Sequence, residues 1–228
     1  MNVSVWLDGE MKEFSTLLQQ FKRKQMKNVP IWMALCIIGM VALGVVAGYD
    51  IGYVARVHLV IGVGIAALIW LGYWIQNRVA NVKRARAAYE KELKTFFCSA
   101  EDEQAFCRQM ESHNYDAVHF MNTGMESYPG RFLVGPDYWV FFSGGGYCRM
   151  FRTADIKTVY GREETTRVNV AGRGRRMTVG VSFVAEYKEG SPSAKGGKES
   201  TGTVFLQKGE QYKKLLETVM QRCPGLRG

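Results

Sequence analysis

The sequence predicts a membrane α-helical hairpin joined to an α+β domain rich in short antiparallel strands and closed by a C-terminal helix. Three observations carry this. Ile31–Tyr49 is a stretch of 19 residues without a Lys, Arg, Asp or Glu, and Val57–Asn77 is another of 21. Seven residues separate them. Beyond Asn114 the apolar spacing changes from a helical rhythm to a period of two, and a final amphipathic segment follows.

The two apolar stretches come first because they constrain everything else. At roughly 1.5 Å per helical residue each reaches about the 30 Å of a hydrocarbon core. In lipid the backbone has no water to bond to, so a single segment must be helical. A chain of 228 residues has little with which to surround two such helices in a soluble core. Trp32, Tyr49, Tyr53, Tyr73 and Trp74 fall near the expected ends, where amphipathic rings prefer the headgroup layer. The spans are thus expected at 31–49 and 57–77 within a hairpin covering 30–77.

Charge orients the hairpin. The formal net charge of +9 is uneven: residues 1–29 carry five basic and three acidic side chains, and residues 77–97 carry six and two. Residues 98–228 carry eighteen and fifteen, whereas the turn holds only Asp50 and Arg56. Basic flanks on the outer ends place both termini in the cytoplasm of a multi-pass plasma-membrane protein. A juxtamembrane excess of this kind speaks for anionic lipid as partner and against nucleic acid. Cys36, Cys98, Cys107, Cys148 and Cys223 form no CxxC pair and suit a reducing compartment. The first apolar run starts after about thirty residues and a second follows at once, so it reads as an anchor, not a cleaved leader.

Taken in order, residues 1–29 form a cytoplasmic amphipathic arm. Met11, Phe14, Leu17, Leu18 and Phe21 lie on one helical face, flanked by Lys12, Lys22, Arg23, Lys24 and Lys27. Two readings stand: a helix on the inner leaflet, or a helix docked on the chain's own soluble domain. Asn28-Val29-Pro30 is expected to break it. Within the spans, Gly44 with Gly48 and Gly62 with Ala66 are small-residue pairs one turn apart. They allow close helix approach, either inside the hairpin or between copies of a homo-oligomer. His58 lies next to the outer turn and reads as an interfacial histidine. No acidic or basic midplane group marks a transport path.

Juxtamembrane helices are expected over 78–113. The second span continues from Arg78, with Lys83, Arg84 and Arg86 at headgroup height. A new helix starts at Ser99, a capping hydroxyl followed by Glu101, Asp102 and Glu103. Phe106, Met110 and His113 line its inner side, and Asn114 closes it. The strand-rich domain is expected over 114–228, with strands at Ala117–Met121, Arg131–Val134, Tyr138–Phe142, Tyr147–Phe151, Ile156–Tyr160, Thr166–Val170, Met177–Tyr187 and Thr203–Leu206. Turns fall at Ser143–Gly146 and Gly172–Arg175, and a Ser, Pro, Gly and Lys-rich loop spans Gly190–Gly202. Tyr212, Leu215, Leu216, Val219, Met220 and Cys223 mark a final helix over 210–223, stopped by Pro224 and Gly225.

Chemistry is sparse. Gly144–Gly146 lacks a Gly-Lys-Ser/Thr ending and precedes a strand, so it is a turn and not a phosphate loop. His113, His119, Asp116 and Cys107 lack ligand spacing, so no metal and no cofactor is expected. Asp155, Glu163 and Glu164 lie near loops without a partner, and no catalytic constellation is evident, so no enzyme is expected. The one dense basic cluster of the soluble part is Arg167, Arg173, Arg175 and Arg176. It reads either as a phosphate-holding hairpin tip or as a solvated loop.

Tyr138–Phe142 before a turn, then Phe151-Arg152-Thr153-Ala154-Asp155-Ile156-Lys157-Thr158-Val159-Tyr160, and the closing Leu215–Pro224 carry a resemblance. In layout, Phe132–Pro224 resembles the cytosolic domain of uncharacterised bacterial two-span membrane proteins with a pleckstrin-homology-like (YcxB-like) domain. The resemblance implies an antiparallel barrel plugged by its C-terminal helix, and it assigns no catalytic residue. The function expected is non-enzymatic: interaction of the cytosolic domain with a protein or with anionic lipid at the inner leaflet. The contact residues would be Arg173, Arg175, Arg176, Lys83, Arg84 and Arg86. The alternatives are a membrane-bound enzyme with a site between the juxtamembrane helices and the barrel, and an accessory subunit of a larger membrane complex.

Overall fold

A computed structural model describes residues 3–79, 81–123, 128–170, 173–197, 200–206 and 209–226. The chain divides into two compact units, Leu18–Ala80 and Met1–Leu17 with Asn81–Gly228.

In the first unit, helix α1 (Val3–Val46) continues from the arm through Pro30 without a break. The expected interruption at Asn28–Pro30 is absent: one missing amide and one displaced carbonyl are too little to end a helix whose remaining bonds are satisfied within the segment. The turn is shorter than the sequence suggests. Gly48 adopts φ +75°, and Asp50 caps the next helix by accepting the Gly52 N–H at 2.8 Å. The return begins as α2 (Ile51–Tyr53), widens into a π-helical turn over Val54–His58 and runs on as α3 (Leu59–Val79). The two apolar helical segments are long and apolar enough to cross a membrane, and only 11% and 17% of their most apolar windows is buried. Ile38, Leu43, Val46 and Leu68 stand exposed on these helices.

In the second unit, α4 (Val82–Phe96) does not continue α3. Asn81, with extended backbone, caps it by accepting the Arg84 N–H, and the Asn81 N–H donates to the Gly144 carbonyl. A side-chain cap of this kind marks the start of a new helix. Helix α5 (Ala100–Glu111) is capped by Ser99, with three acids in its first turn, and buries Phe106 and Met110. His113 is exposed and left-handed (φ 51°), so it ends the helix instead of lining it.

Seven strands follow: β1 (Asp116–Thr123), β2 (Tyr128–Val134), β3 (Tyr138–Ser143), β4 (Cys148–Arg152), β5 (Ile156–Val170), β6 (Arg173–Tyr187) and β7 (Thr201–Leu206). All neighbours are antiparallel, in the order β4-β3-β2-β1-β7-β6-β5. Because, among the described residues, β1 and β7 meet only at Thr123↔Leu206, the strands read as a four-stranded and a three-stranded sheet. A closed barrel is not made: β4 and β5 stand at opposite ends of the order. The β4 edge is flanked by α4, whose Tyr89 and Ala85 are buried. Eight expected strands become seven because Ile156–Tyr160 and Thr166–Val170 are one strand, continuous through the polar Gly161–Thr165. The loop expected over 190–202 contains a 3₁₀ segment at Pro192–Gly197, and β7 begins at Thr201.

The core lies between the two sheets and helix α6 (Gly209–Arg222), built from Phe132, Trp139, Phe151, Phe183, Leu206, Leu215 and Val219. The first part of α1 belongs to this unit. Phe14 packs edge-on against Phe142 with ring centroids 5.1 Å apart, and Trp6 lies 5.9 Å from Phe106. With Leu7, Met11 and Leu17 also buried, the arm up to Leu17 docks on the chain's own domain, not on a lipid surface. Each such large side chain contributes roughly 1.5–3 kcal/mol of burial.

Candidate functional site

The longest hairpin carries the densest cationic cluster. β5 and β6 pair from Ile156↔Tyr187 to Val170↔Arg173, but β7 accompanies β6 only between Glu186 and Val181. At the end of that third strand sits Gly180, where a Cβ would lie 2.5 Å from the Leu206 carbonyl oxygen, so only glycine fits. A bulge follows: Glu164 pairs with Gly180 and Thr165 with Thr178, leaving Val179 extra. Beyond it, Thr165–Val170 and Arg173–Thr178 pair only with each other among the described residues. Six strand residues extend about 20 Å.

Residues 165–178 hold four arginines and no Asp or Glu. Arg173, Arg175 and Arg176 lie within β6 and not in a turn; Arg176 is opposite Arg167, Arg175 opposite Val168 and Arg173 opposite Val170. Thr165, Met177 and Thr178 are exposed. The base of this arm is pinned by Glu164, which accepts from Ser182 Oγ at 2.6 Å and from Arg162 Nη2 at 3.0 Å. Those two bonds, the serine's first, hold the Glu164 carboxyl below its usual range.

The other expected cations are elsewhere. Lys83, Arg84 and Arg86 occupy the first turns of α4, beside the β3–β4 turn, at the opposite end of the strand order from β5. Lys83 and Arg84 are exposed. Arg86 is bound by Asp8 at 2.6 Å and Glu90 at 2.8 Å. Within the hairpin, a Cβ on Gly44 would meet His58 Cγ at 2.9 Å, and one on Gly62 would meet the Ile37 Cα at 3.1 Å. Ala66 is buried, whereas Gly48 has nothing within 4 Å and serves the turn. Gly44 and Gly62 are therefore consumed by packing of the hairpin on itself.

Histidines and acids are dispersed. Asp116 is held by Arg222 at 2.5 and 2.9 Å. His113 Nδ1 lies 3.2 Å from the Tyr115 hydroxyl, and His119 stands opposite Arg131, with burial and then that guanidinium pulling its ionisation down. Burial raises the Cys107 thiol. Among the described residues, no three His, Cys, Asp or Glu side chains converge. Asp155 accepts the Ser193 N–H at 3.1 Å and its hydroxyl at 2.5 Å, and Arg152 Nη1 lies 3.6 Å away. Arg152 also bonds Asp102, which accepts the Tyr138 hydroxyl at 2.5 Å. The adjoining cleft between α4 and β4, lined by Phe96, Cys98, Arg149, Met150, Tyr187 and Ser193, is about 60 Å³ and takes a few water molecules.

One polar cluster escapes a reading of the sequence. Glu10 and Arg131 are buried together, with Tyr115 donating to Glu10 Oε1 at 2.5 Å and Trp6 Nε1 3.3 Å from that hydroxyl. Glu13, itself exposed, reaches Arg131 Nη1 at 2.6 Å. The only signal for it is spacing: Trp6, Glu10 and Phe14 recur every four residues, which puts Glu10 on the apolar stripe.

Against protein-family models, curated proteins and solved structures, the chain matches none.

Proposed function

We propose that this is a membrane-anchored, non-enzymatic interaction module. The two apolar helices hold the chain in the plasma membrane with both termini cytoplasmic, and the strand-rich unit engages anionic lipid headgroups at the inner leaflet. The observation that carries the reading is the arm of Thr165–Val170 and Arg173–Thr178, which holds four arginines and no acid and, among the described residues, has no third strand. Arginine's planar fork matches phosphate oxygens, and a projecting cationic hairpin gains most where anionic headgroups are concentrated. Antiparallel strands followed by a closing helix are what a pleckstrin-homology-like (YcxB-like) domain would share with this chain; its closed barrel is not made.

The test uses the full chain in nanodiscs of neutral phosphatidylcholine, mixed with vesicles with and without phosphatidylglycerol. The chain should float only with the anionic vesicles. Binding should fade as salt rises from about 0.1 M to about 1 M, where the screening length falls from about 10 Å to about 3 Å. R173A/R175A/R176A should abolish it. Binding to neutral vesicles, or binding unchanged in that variant, overturns the reading. A protein captured by the arm in place of lipid would move it to the protein-partner alternative.

A further inference from the structure

β5 stands at the end of the strand order, and among the described residues its outer edge pairs with no other strand. At Gly161 the Tyr212 ring lies where a Cβ would stand, 2.7 Å away, so it packs over the face of the strand there. From Arg162 onward β5 pairs, among the described residues, with β6 alone. An open edge is a template for another strand unless its charges discourage one. Here the charges discriminate between partners instead of repelling all of them.

We propose that Arg162–Val168 pairs antiparallel with the same segment of a second copy of this chain, with Thr165 opposite Thr165. Charge order selects this register. Reading Arg162-Glu163-Glu164-Thr165-Thr166-Arg167-Val168 against itself about Thr165 puts each Glu163 opposite an Arg167, twice by symmetry. Arg162 then meets Val168 and Glu164 meets Thr166, with no like charges opposed. Centring on residue 162, 163 or 164 sets Arg on Arg or Glu on Glu, and centring on Thr166 opposes no opposite charges. Glu163 is exposed and, among the described residues, makes no ion pair, while Glu164 and Arg162 already satisfy each other. The register thus takes up the one acid of the segment that the chain leaves unmatched, and directly opposed unlike charges are what favour one strand pairing over another. The pairing occupies β5 and engages Arg167, and it leaves the β6 arginines Arg173, Arg175 and Arg176 for lipid.

The experiment is the mass of the detergent-solubilised full chain by light scattering across a concentration series, beside oxidative crosslinking. The wild type should dimerise. E163R and R167E should each raise the dissociation constant by roughly ten-fold, since each turns two attractive pairs repulsive. E163R/R167E should restore the dimer. Thr165→Cys should give a disulfide joining the two introduced cysteines, since directly opposed residues lie about 4.5–5.5 Å apart, within disulfide reach. Arg162→Cys should not, its symmetry mate lying about 20 Å along the strand. A wild type monomeric at every concentration overturns the proposal, as do single reversals without effect, a double reversal that fails to restore the dimer, or crosslinking as efficient at 162 as at 165. R173A/R175A/R176A should leave the mass unchanged, which separates a failure here from a failure of lipid binding.

Discussion

The Glu10 carboxylate lies 3.2 Å from the Arg131 guanidinium, with both side chains 4% exposed. It joins the docked start of α1 to the middle of β2. The pair is in ionic contact without hydrogen-bond alignment, since Glu10 Oε2 and Arg131 Nη1 are without hydrogen-bond partners. Glu10 instead takes its hydrogen bond from Tyr115. Burial dominates, and it raises the Glu10 carboxyl above its ordinary range despite Tyr115 and Arg131, both of which pull it down. The same burial, with the Glu10 bond, pushes the Tyr115 phenol up to about 12.

A raised carboxyl has a definite sign. The folded state holds the Glu10 proton more tightly than the unfolded chain does, so this group's contribution is complete below the unfolded value near 4.5 and is lost as pH rises through the folded value. Glu10→Gln should remove that slope. In thermal unfolding of the full chain in detergent, wild type should lose stability relative to the variant from pH 4 upward. An identical pH dependence in both would refute the assignment. Arg131→Met should be severely destabilising, by about 3–5 kcal/mol, because it leaves Glu10 buried and unmatched.

Gln109 is the other polar group on which the packing depends. Its Nε2 donates to the Tyr138 carbonyl at 2.9 Å, and its Oε1 accepts the Asp137 and Tyr138 N–H groups at 2.8 and 3.0 Å. Gly135 is glycine because a Cβ there would stand 2.0 Å from Gln109 Nε2. Gln109→Leu should cost about 2–4 kcal/mol by leaving buried backbone groups unbonded. Hydrogen exchange should accelerate at Asp137 and Tyr138 before it does in β6.

In the hairpin, Gly62→Leu should lower resistance to unfolding in rising sodium dodecyl sulfate, since its Cβ already meets the Ile37 backbone. Gly64→Leu, with nothing within 4 Å, is the matched control and should leave that resistance unchanged. Equal sensitivity at both positions would show that helix contact is not set by Gly62.

Capping gives a smaller, local effect. Asn81→Ala and Ser99→Ala should each cost about 0.5–2 kcal/mol, because each side chain accepts an N–H of the first turn that has no partner within the helix. Circular dichroism through thermal unfolding of the full chain would register both losses.

Much of the local structure is legible without coordinates because it depends on neighbours in sequence. Uncharged length dictates the two apolar helices, Ser99 and its acids dictate the start of α5, and alternation dictates β1 to β4. The lines read wrongly are those where a remote contact decides. Gly161–Thr165 looks like a loop, yet β6 pairs with it and makes one strand. Arg173–Arg176 looks like a turn because of its glycines, yet register with β5 extends it. Pro30 looks like a stop, although one lost hydrogen bond does not outweigh the others of a long helix.

By itself the sequence determined two long apolar helices, a strand-rich domain and a terminal helix, since periodicity and composition act over a few residues. Only the tertiary structure decided that the arm docks on its own domain, that the sheets stay open, and that Glu10 meets Arg131 across more than a hundred residues. It also left the outer edge of β5 unpaired among the described residues. Burial and strand pairing join distant parts of the chain, and no local pattern records which distant part will arrive.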